Sequence, residues 1–283
     1  MENEIEIKIM LIPENIPLIY QWLNQQNILC HETEELANCY YDTPDLYFAK
    51  EKMGLRVRSK NNQHEITLKA KGEITGGLHI RPEYNLALEH NFPDLKRLVS
   101  HYNLQLGDIK QLQQNLKATF STDFQREKWV VAFNQSEIEI ALDQGLIKNS
   151  QGEEQICELE FELKQGNIND ILTLLEQLPK QNGIWFSSLS KAQRGYLVGY
   201  PNKIAKEIEK LTAYYVENHC EIETYQFAQQ LADFIRLTAS EPLIHQYQQL
   251  TGEKVDSVDY FTSQDYFAYN LATLTEMNIN SND

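Results

Sequence analysis

The stretch Glu4-Ile5-Glu6-Ile7-Lys8-Ile9-Met10 decides the fold. In an extended strand successive side chains point to opposite faces, so Glu4, Glu6 and Lys8 share one face and Ile5, Ile7 and Ile9 the other. Taken alone, such a segment reads as a surface strand with its polar side in water. The chain repeats the pattern, however. Arg56 and Arg58 share a face, as do Lys69 and Lys71, Arg81 and Glu83, Arg126 and Lys128, then Glu137, Glu139 and Asp143, and finally Glu158, Glu160, Glu162 and Lys164. Few solvent-facing sheets are so uniformly ionisable. The opposite faces carry Leu55, Val57, Ile66, Leu68, Leu159, Phe161 and Leu163 with equal regularity.

Working outward, alternation or β-branched and aromatic enrichment predicts strands over 4–10, 36–41, 54–60, 65–71, 78–86, 119–126, 128–134, 137–143 and 155–164. Turn residues such as Asn61-Asn62 and Gly76-Gly77 separate several of them. Apolar recurrence at i, i+3 and i+4 predicts helices over 15–27, 92–101, 167–178 and 190–198. A closed antiparallel barrel of about eight strands leaves an interior wide enough for packed side chains or one small ligand, and closure removes exposed edges. The expectation is an α+β chain: a closed eight-stranded antiparallel β-barrel with a charged interior, surrounded by helices that cover its apolar outside. After Pro201 the alternation gives way to helical spacing over 204–217, 226–238 and 242–251. That change divides the chain into a barrel domain, residues 1–200, and a short acidic helical region, residues 201–283, whose polar ending 278–283 is expected to be disordered.

Composition limits the partners. A formal net charge of -16 argues against nucleic acid and anionic membranes, both of which select clustered Lys and Arg. Glu2, Glu4, Glu6 and Lys8 interrupt any leader-like apolar run, and no stretch reaches the ~18 apolar residues of a membrane span. A cytoplasmic location is expected. Cys30, Cys39, Cys157 and Cys220 lack the paired spacing of a zinc site and are expected to be buried thiols.

A charged lumen must be wet, internally paired or filled by ligand, because transfer of a lone ion into a dry interior costs on the order of 20 kcal/mol in the idealised limit. The mixture of signs selects the ligand. Guanidinium and ammonium groups suit phosphate oxygens, and grouped carboxylates suit Mg²⁺ or Mn²⁺. A small-molecule metal–polyphosphate complex satisfies both.

The strand Glu4-Ile5-Glu6-Ile7-Lys8 is followed in order by Tyr40-Tyr41-Asp42-Thr43-Pro44, Gly54-Leu55-Arg56-Val57-Arg58, Thr67-Leu68-Lys69-Ala70-Lys71, Arg81-Pro82-Glu83-Tyr84, Glu158-Leu159-Glu160-Phe161-Glu162 and Ser190-Lys191-Ala192-Gln193-Arg194-Gly195-Tyr196. This series resembles the CYTH superfamily of triphosphate tunnel metalloenzymes, most closely its bacterial inorganic triphosphatases, over about residues 1–200. The resemblance implies metal-dependent hydrolysis of inorganic triphosphate to diphosphate and phosphate. It implies that Glu4, Glu6, Glu160 and Glu162 hold a catalytic Mg²⁺ or Mn²⁺, with Asp143 and Glu139 as supporting carboxylates or ligands of a second ion. It further implies that Lys8, Arg56, Arg58, Lys69, Arg81, Arg126, Lys191 and Arg194 bind phosphate oxygens, with Glu83 orienting basic partners. Lys71 and Lys128 follow the alternation without a matching family role. Thiamine triphosphatase, other organic triphosphatases and a non-catalytic polyphosphate receptor remain alternatives. Triphosphatases of this type often carry a following CHAD domain, which residues 201–283 resemble only in position and helical character. With Lys206, Lys210, Arg236 and Lys254 outnumbered by acidic residues, that region is expected to pack on the barrel or join two copies into a homodimer.

Overall fold

The computed structural model describes residues 3–217 and 221–281. In chain order its elements are β1 (Asn3–Leu11), α1 (Ile16–Leu23), β2 (Ile28–Asp42), α2 (Tyr47–Lys50), β3 (Gly54–Lys60), β4 (Gln63–Lys69), β5 (Glu73–Thr75), β6 (Leu78–Leu88), α3 (Leu95–Tyr102) and α4 (Ile109–Asn115). They continue with β7 (Lys117–Phe133), β8 (Ser136–Lys148), β9 (Glu153–Gln165), α5 (Ile168–Leu175), β10 (Ile184–Phe186), α6 (Lys191–Leu197), α7 (Pro201–Glu217), α8 (Glu221–Thr238), α9 (Glu241–Thr251) and α10 (Gln264–Ser281).

Eight strands run β1-β9-β8-β7-β2-β3-β4-β6, every pair antiparallel, and the β1–β6 pairing closes the ring. Closure uses both edges of β1: Ile5 and Glu6 face Ile80 and His79 on one side, while Glu6 and Lys8 face Glu162 and Glu160 on the other. The expected barrel is therefore present, with β5 and β10 as short additions on β6 and β1. The predicted Asn61-Asn62 turn joins β3 to β4 with both residues at positive φ (49° and 61°), the backbone that a two-residue hairpin matching the strand twist requires.

The alternating sequence dictates the packing. Ile7, Ile9, Ile138, Ile140, Leu159 and Phe161 point outward and are covered by Ile19, Trp22 and Leu23 of α1, Ile171, Leu172 and Leu175 of α5, and Leu271 and Leu274 of α10. On the other side Leu55, Val57, Ile66 and Leu68 meet Phe48 of α2, Leu95 and Leu98 of α3, and Leu112 of α4. Helix α3 starts where Asp94 accepts from the Arg97 backbone N–H (2.9 Å), and α4 starts at Asp108 in the same way (3.0 Å to Gln111 N). Leu231, Ile235, Tyr247, Phe261 and Tyr266, all beyond Pro201, form a further cluster that also takes in Leu197 of α6. Residues beyond Pro201 also dock on the barrel: Phe267 stacks on Phe186 at 4.7 Å between ring centroids, and Leu274 is buried among barrel residues. No described helix is long and apolar enough to cross a membrane.

Several boundaries differ from expectation. Residues 117–133 form one strand rather than two, because β7 pairs continuously with β2 and β8 through the charged Arg126-Glu127-Lys128 run. Strand β2 begins at Ile28, not Leu36; its first half is held by backbone pairing to β7 and is exposed, so it has no apolar face to reveal it. Strand β4 ends at Lys69, leaving Lys71 exposed beyond it. Helix α10 was not foreseen. It carries the polar ending helically to Ser281, because packed Tyr266, Leu271 and Leu274 fix its start, while residues 282–283 lie outside the described ones. Cys30 is exposed and Cys39 half-buried; Cys157 is the buried thiol expected, and Cys220 lies outside the described residues.

Candidate active site in the barrel lumen

The inward face of β1 places Glu4, Glu6 and Lys8 in one row, and closure sets the corresponding rows of β3, β4, β6, β7, β8 and β9 around them. Apolar residues close one end of the lumen. Leu36, Tyr40, Phe120, Phe124, Ile147 and Ile156 pack there with Ala192, Tyr196 and Val198 of the α6 segment. Helix α6 begins in a capping box in which the Ser190 hydroxyl accepts from Gln193 N and the Gln193 side chain accepts from Ser190 N. It lies so close to β7 that a Cβ on Gly195 would fall 2.2 Å from the Phe120 ring. That approach carries Lys191 and Arg194 inward, and both are buried rather than on a helix surface.

Beneath α6 the carboxylates of Asp143, Glu158 and Glu160 offer oxygens within 4.8 Å of one another. Cations hold the triad from every side. Lys191 contacts Asp143 (2.5 Å), Glu158 and Glu160 (2.9 Å); Lys8 contacts Glu158 (2.9 Å) and Glu160. Arg126 grips Asp143 through two hydrogen bonds of 2.7 Å and reaches Glu160 at 2.5 Å. Arg194 bridges Glu158 (2.5 Å) and Glu154 (2.6 Å). Burial would raise the Glu158 carboxyl, but Lys191, Lys8 and Arg194 outweigh it and hold the group down at about 2. Glu160 is likewise driven well below the usual range, against burial, by Lys191, Lys8 and Arg126.

A second polar centre lies around Lys69, which contacts Glu4 (2.6 Å) and Glu83 (2.9 Å). Arg81 donates to Glu6 (3.0 Å), and Arg56 stands 3.8 Å from Glu83. Burial, opposed by Lys69 and reinforced by Glu6 and Glu83, pushes Glu4 up to about 8. Arg58 differs from its neighbours. Its Nε donates to Asn38 Oδ1 (2.9 Å), it forms no ion pair among the described residues, and burial with the like charges of Arg56 and Arg126 lowers it to about 10. The Nε atoms of Arg56 and Arg81 are buried with no hydrogen-bond partner. Guanidinium donors left unsatisfied inside a closed barrel are what an oxyanion ligand would satisfy.

The structure thus gathers Glu6, Lys8, Arg126, Asp143, Glu160, Lys191 and Arg194 around or beside one centre, and Glu4, Arg56, Arg58, Lys69, Arg81 and Glu83 around its neighbour. Glu162 pairs in register with Glu6, but its carboxylate accepts a hydrogen bond from Lys164 (2.8 Å), away from the triad. Lys128 pairs with Glu32 and Glu34 (3.2 Å each), and Lys71 stands outside. Glu158 was not singled out as a ligand, although its place two residues before Glu160 signalled an inward carboxylate.

The fully buried His79 accompanies Glu6 in the strand pairing and is held neutral, at about 3, by burial and Arg81. Such a group is a poor proton acceptor at neutral pH.

The strongly depressed Glu158 gives a pH prediction. Its folded-state value lies below its unfolded one, so its stabilising contribution is complete above the ordinary value of 4.5 and disappears as pH falls towards about 2. Urea midpoints measured from pH 6 downward should decline over that window, and the decline should be shallower in Glu158→Gln. Equal pH profiles for the two proteins would contradict the assignment.

Comparison with known proteins gives the family. The CYTH domain model matches residues 2–196. The inorganic triphosphatase of Haemophilus influenzae is 45% identical over 204 residues, which make up 70% of this chain and 56% of that protein. The chain therefore spans about half the length of that relative. Among solved structures, a putative adenylyl cyclase from Hippeastrum with a dominant triphosphatase activity is 18% identical with a TM-score of 0.46, covering 68% of this chain and 95% of that one. A putative adenylate cyclase from Bacillus halodurans is 21% identical with a TM-score of 0.39, covering 62% and 87%.

Proposed function

Because the chain belongs to the CYTH domain family, we propose that it hydrolyses inorganic triphosphate to diphosphate and orthophosphate in the lumen of its barrel, with a divalent cation. The observation that carries this reading is the placement of unneutralised Arg58, with Arg56 and Arg126 beside it, in the same closed barrel as the Asp143–Glu158–Glu160 triad. The name of the Haemophilus influenzae relative supports the substrate.

The triad fits Mg²⁺ or Mn²⁺. Both take oxygen ligands, and at about 2.1 Å from the ion such ligands lie at most about 4.2 Å apart, within the reach of carboxylates already gathered this closely. Asp143, Glu158 and Glu160 would hold the ion, with Glu6, whose charge is felt at Glu160, joining from β1. When bound, the ion supplies charge neutralisation to the phosphate oxygens and an acidified water as nucleophile.

The chain's own residues position the substrate. Arg56, Arg58, Lys69 and Arg81 receive phosphate oxygens, and Glu83 and Glu4 keep Lys69 turned inward. Lys8, Arg126, Lys191 and Arg194 neutralise the triad in this structure, and with an ion held there they would be free to bind phosphate oxygens. Burial of Lys8, Lys191 and Arg194 strengthens their contacts with charge. No covalent nucleophile is needed: the attacking water forms one P–O bond as the terminal phosphoanhydride breaks, and diphosphate leaves.

A phosphate-release panel over triphosphate, thiamine triphosphate, ATP and long polyphosphate, each with and without Mg²⁺ or Mn²⁺, tests the reading. Highest kcat/KM for triphosphate, and only with added metal, is expected. Preference for thiamine triphosphate or ATP would reassign the substrate, and tight binding without turnover would make the protein a receptor.

A further inference from the structure

We infer that Asp233, on helix α8 outside the barrel domain, is a positioning residue for the lumen: it clamps the segment from which α6 delivers Lys191 to the acidic triad. The segment joining β10 to α6 is Ser187-Ser188-Leu189-Ser190. The Asp233 carboxylate, itself buried, accepts hydrogen bonds from Ser188 N (2.8 Å), Ser188 Oγ (2.5 Å) and Ser187 Oγ (3.1 Å). Ser187 Oγ in turn accepts from Leu189 N (3.2 Å), and Ser187 O lies 3.4 Å from His79 Nε2 on the lumen face of β6. Behind the clamp, Arg236 donates to Asp233 (2.5 Å) and to Phe261 O (3.0 Å), with its guanidinium over the Trp185 and Tyr266 rings. A carboxylate suits this place because it faces donors only.

Ser188 precedes Lys191 by three residues, so the clamp lies within about 11 Å of the Lys191 backbone along the chain. Between them stand Leu189, whose N–H donates to Ser187 Oγ, and the Ser190 cap of α6. Lys191 must meet three carboxylates at once, and a displacement of a fraction of an ångström at the helix start moves its ammonium against all of them. The acidic helical region is on this view a wall of the active site, not an appended module. The inference rests on the proposed role of Lys191 in holding triphosphate.

Asp233→Asn, which turns an amide towards the Ser188 donors, and Lys191→Ala are made singly and together in the full chain. Asp233→Asn is expected to lower kcat/KM for triphosphate at saturating Mg²⁺ by roughly tenfold, as small misplacements of binding groups do. In the Lys191→Ala background its effect should shrink to less than about twofold, because the residue through which it acts is gone. An equal fold loss in both backgrounds, or none in the parent, overturns the inference. If Asp233→Asn does not fold, Ser188→Ala replaces it in the same cycle. Amide hydrogen exchange without substrate should show residues 187–197 losing protection in the variant, and unchanged protection there overturns the clamp. A parent protein inactive on triphosphate would refute the functional reading, while the exchange result would still decide the clamp.

Discussion

Glu160→Gln is expected to lower metal-dependent triphosphate hydrolysis by roughly 10²- to 10³-fold, the loss typical of removing one group that stabilises transition-state charge. Glu160 stands where Lys8, Lys191 and Arg126 converge, and it is a member of the carboxylate triad. On the proposed reading its loss removes a ligand for the ion, and in the resting protein it leaves three cations sharing Asp143 and Glu158. The same substitution should destabilise the fold by about 3 kcal/mol, since breaking a buried ion pair strands its partners. Two measurements separate the effects: initial rates at temperatures where the variant is fully folded, and urea unfolding without metal. Activity within threefold of the parent would remove Glu160 from the metal site. Lost activity with unchanged stability would show that the paired arrangement contributes nothing to the resting fold.

For Arg58→Met the expectation separates in the opposite direction. Hydrolysis should fall by roughly 10²-fold if, as proposed, Arg58 donates to substrate charge. The substrate-free protein, however, should be as stable as the parent or slightly more so. Arg58 is buried, repelled by Arg56 and Arg126, and hydrogen-bonded among the described residues to Asn38 alone, so replacing it with an apolar side chain of similar volume relieves repulsion and desolvation. Paired thermal melts with and without triphosphate provide the check: the parent should gain more from the ligand than the variant, following the linkage between binding and stability. A variant that unfolds several degrees earlier without ligand would mean that Arg58 is a structural ion and not a binding group.

The charged rows were legible because period-2 alternation is a local property. Glu4, Glu6 and Lys8 could be assigned to one face, and Glu158, Glu160 and Glu162 to another, before any strand was paired. Elements without an apolar face were not legible. The first half of β2 is polar and exposed, and only its hydrogen bonds to β7 make it a strand. The charged run at Arg126-Glu127-Lys128 reads locally as a break, yet pairing on both sides carries β7 straight through it.

The same division holds for the site. Sequence alone determined which side chains share a strand face, and from the charged rows the expectation of a closed antiparallel barrel with a charged interior, because a strand's two faces are set by backbone geometry and side-chain type; it placed Lys71 and Lys128 with the inward rows, where the structure does not keep them. Only the tertiary structure decided which carboxylates meet: register across β8 and β9 brings Asp143, Glu158 and Glu160 together and leaves Glu162 with Lys164, and no spacing along the chain encodes that choice. It also decided that α6 enters the barrel end and that Asp233, more than forty residues beyond Ser187 and Ser188, holds them. Contacts of that range follow from how helices cover a closed sheet, a property of the assembled core and not of any local stretch of sequence.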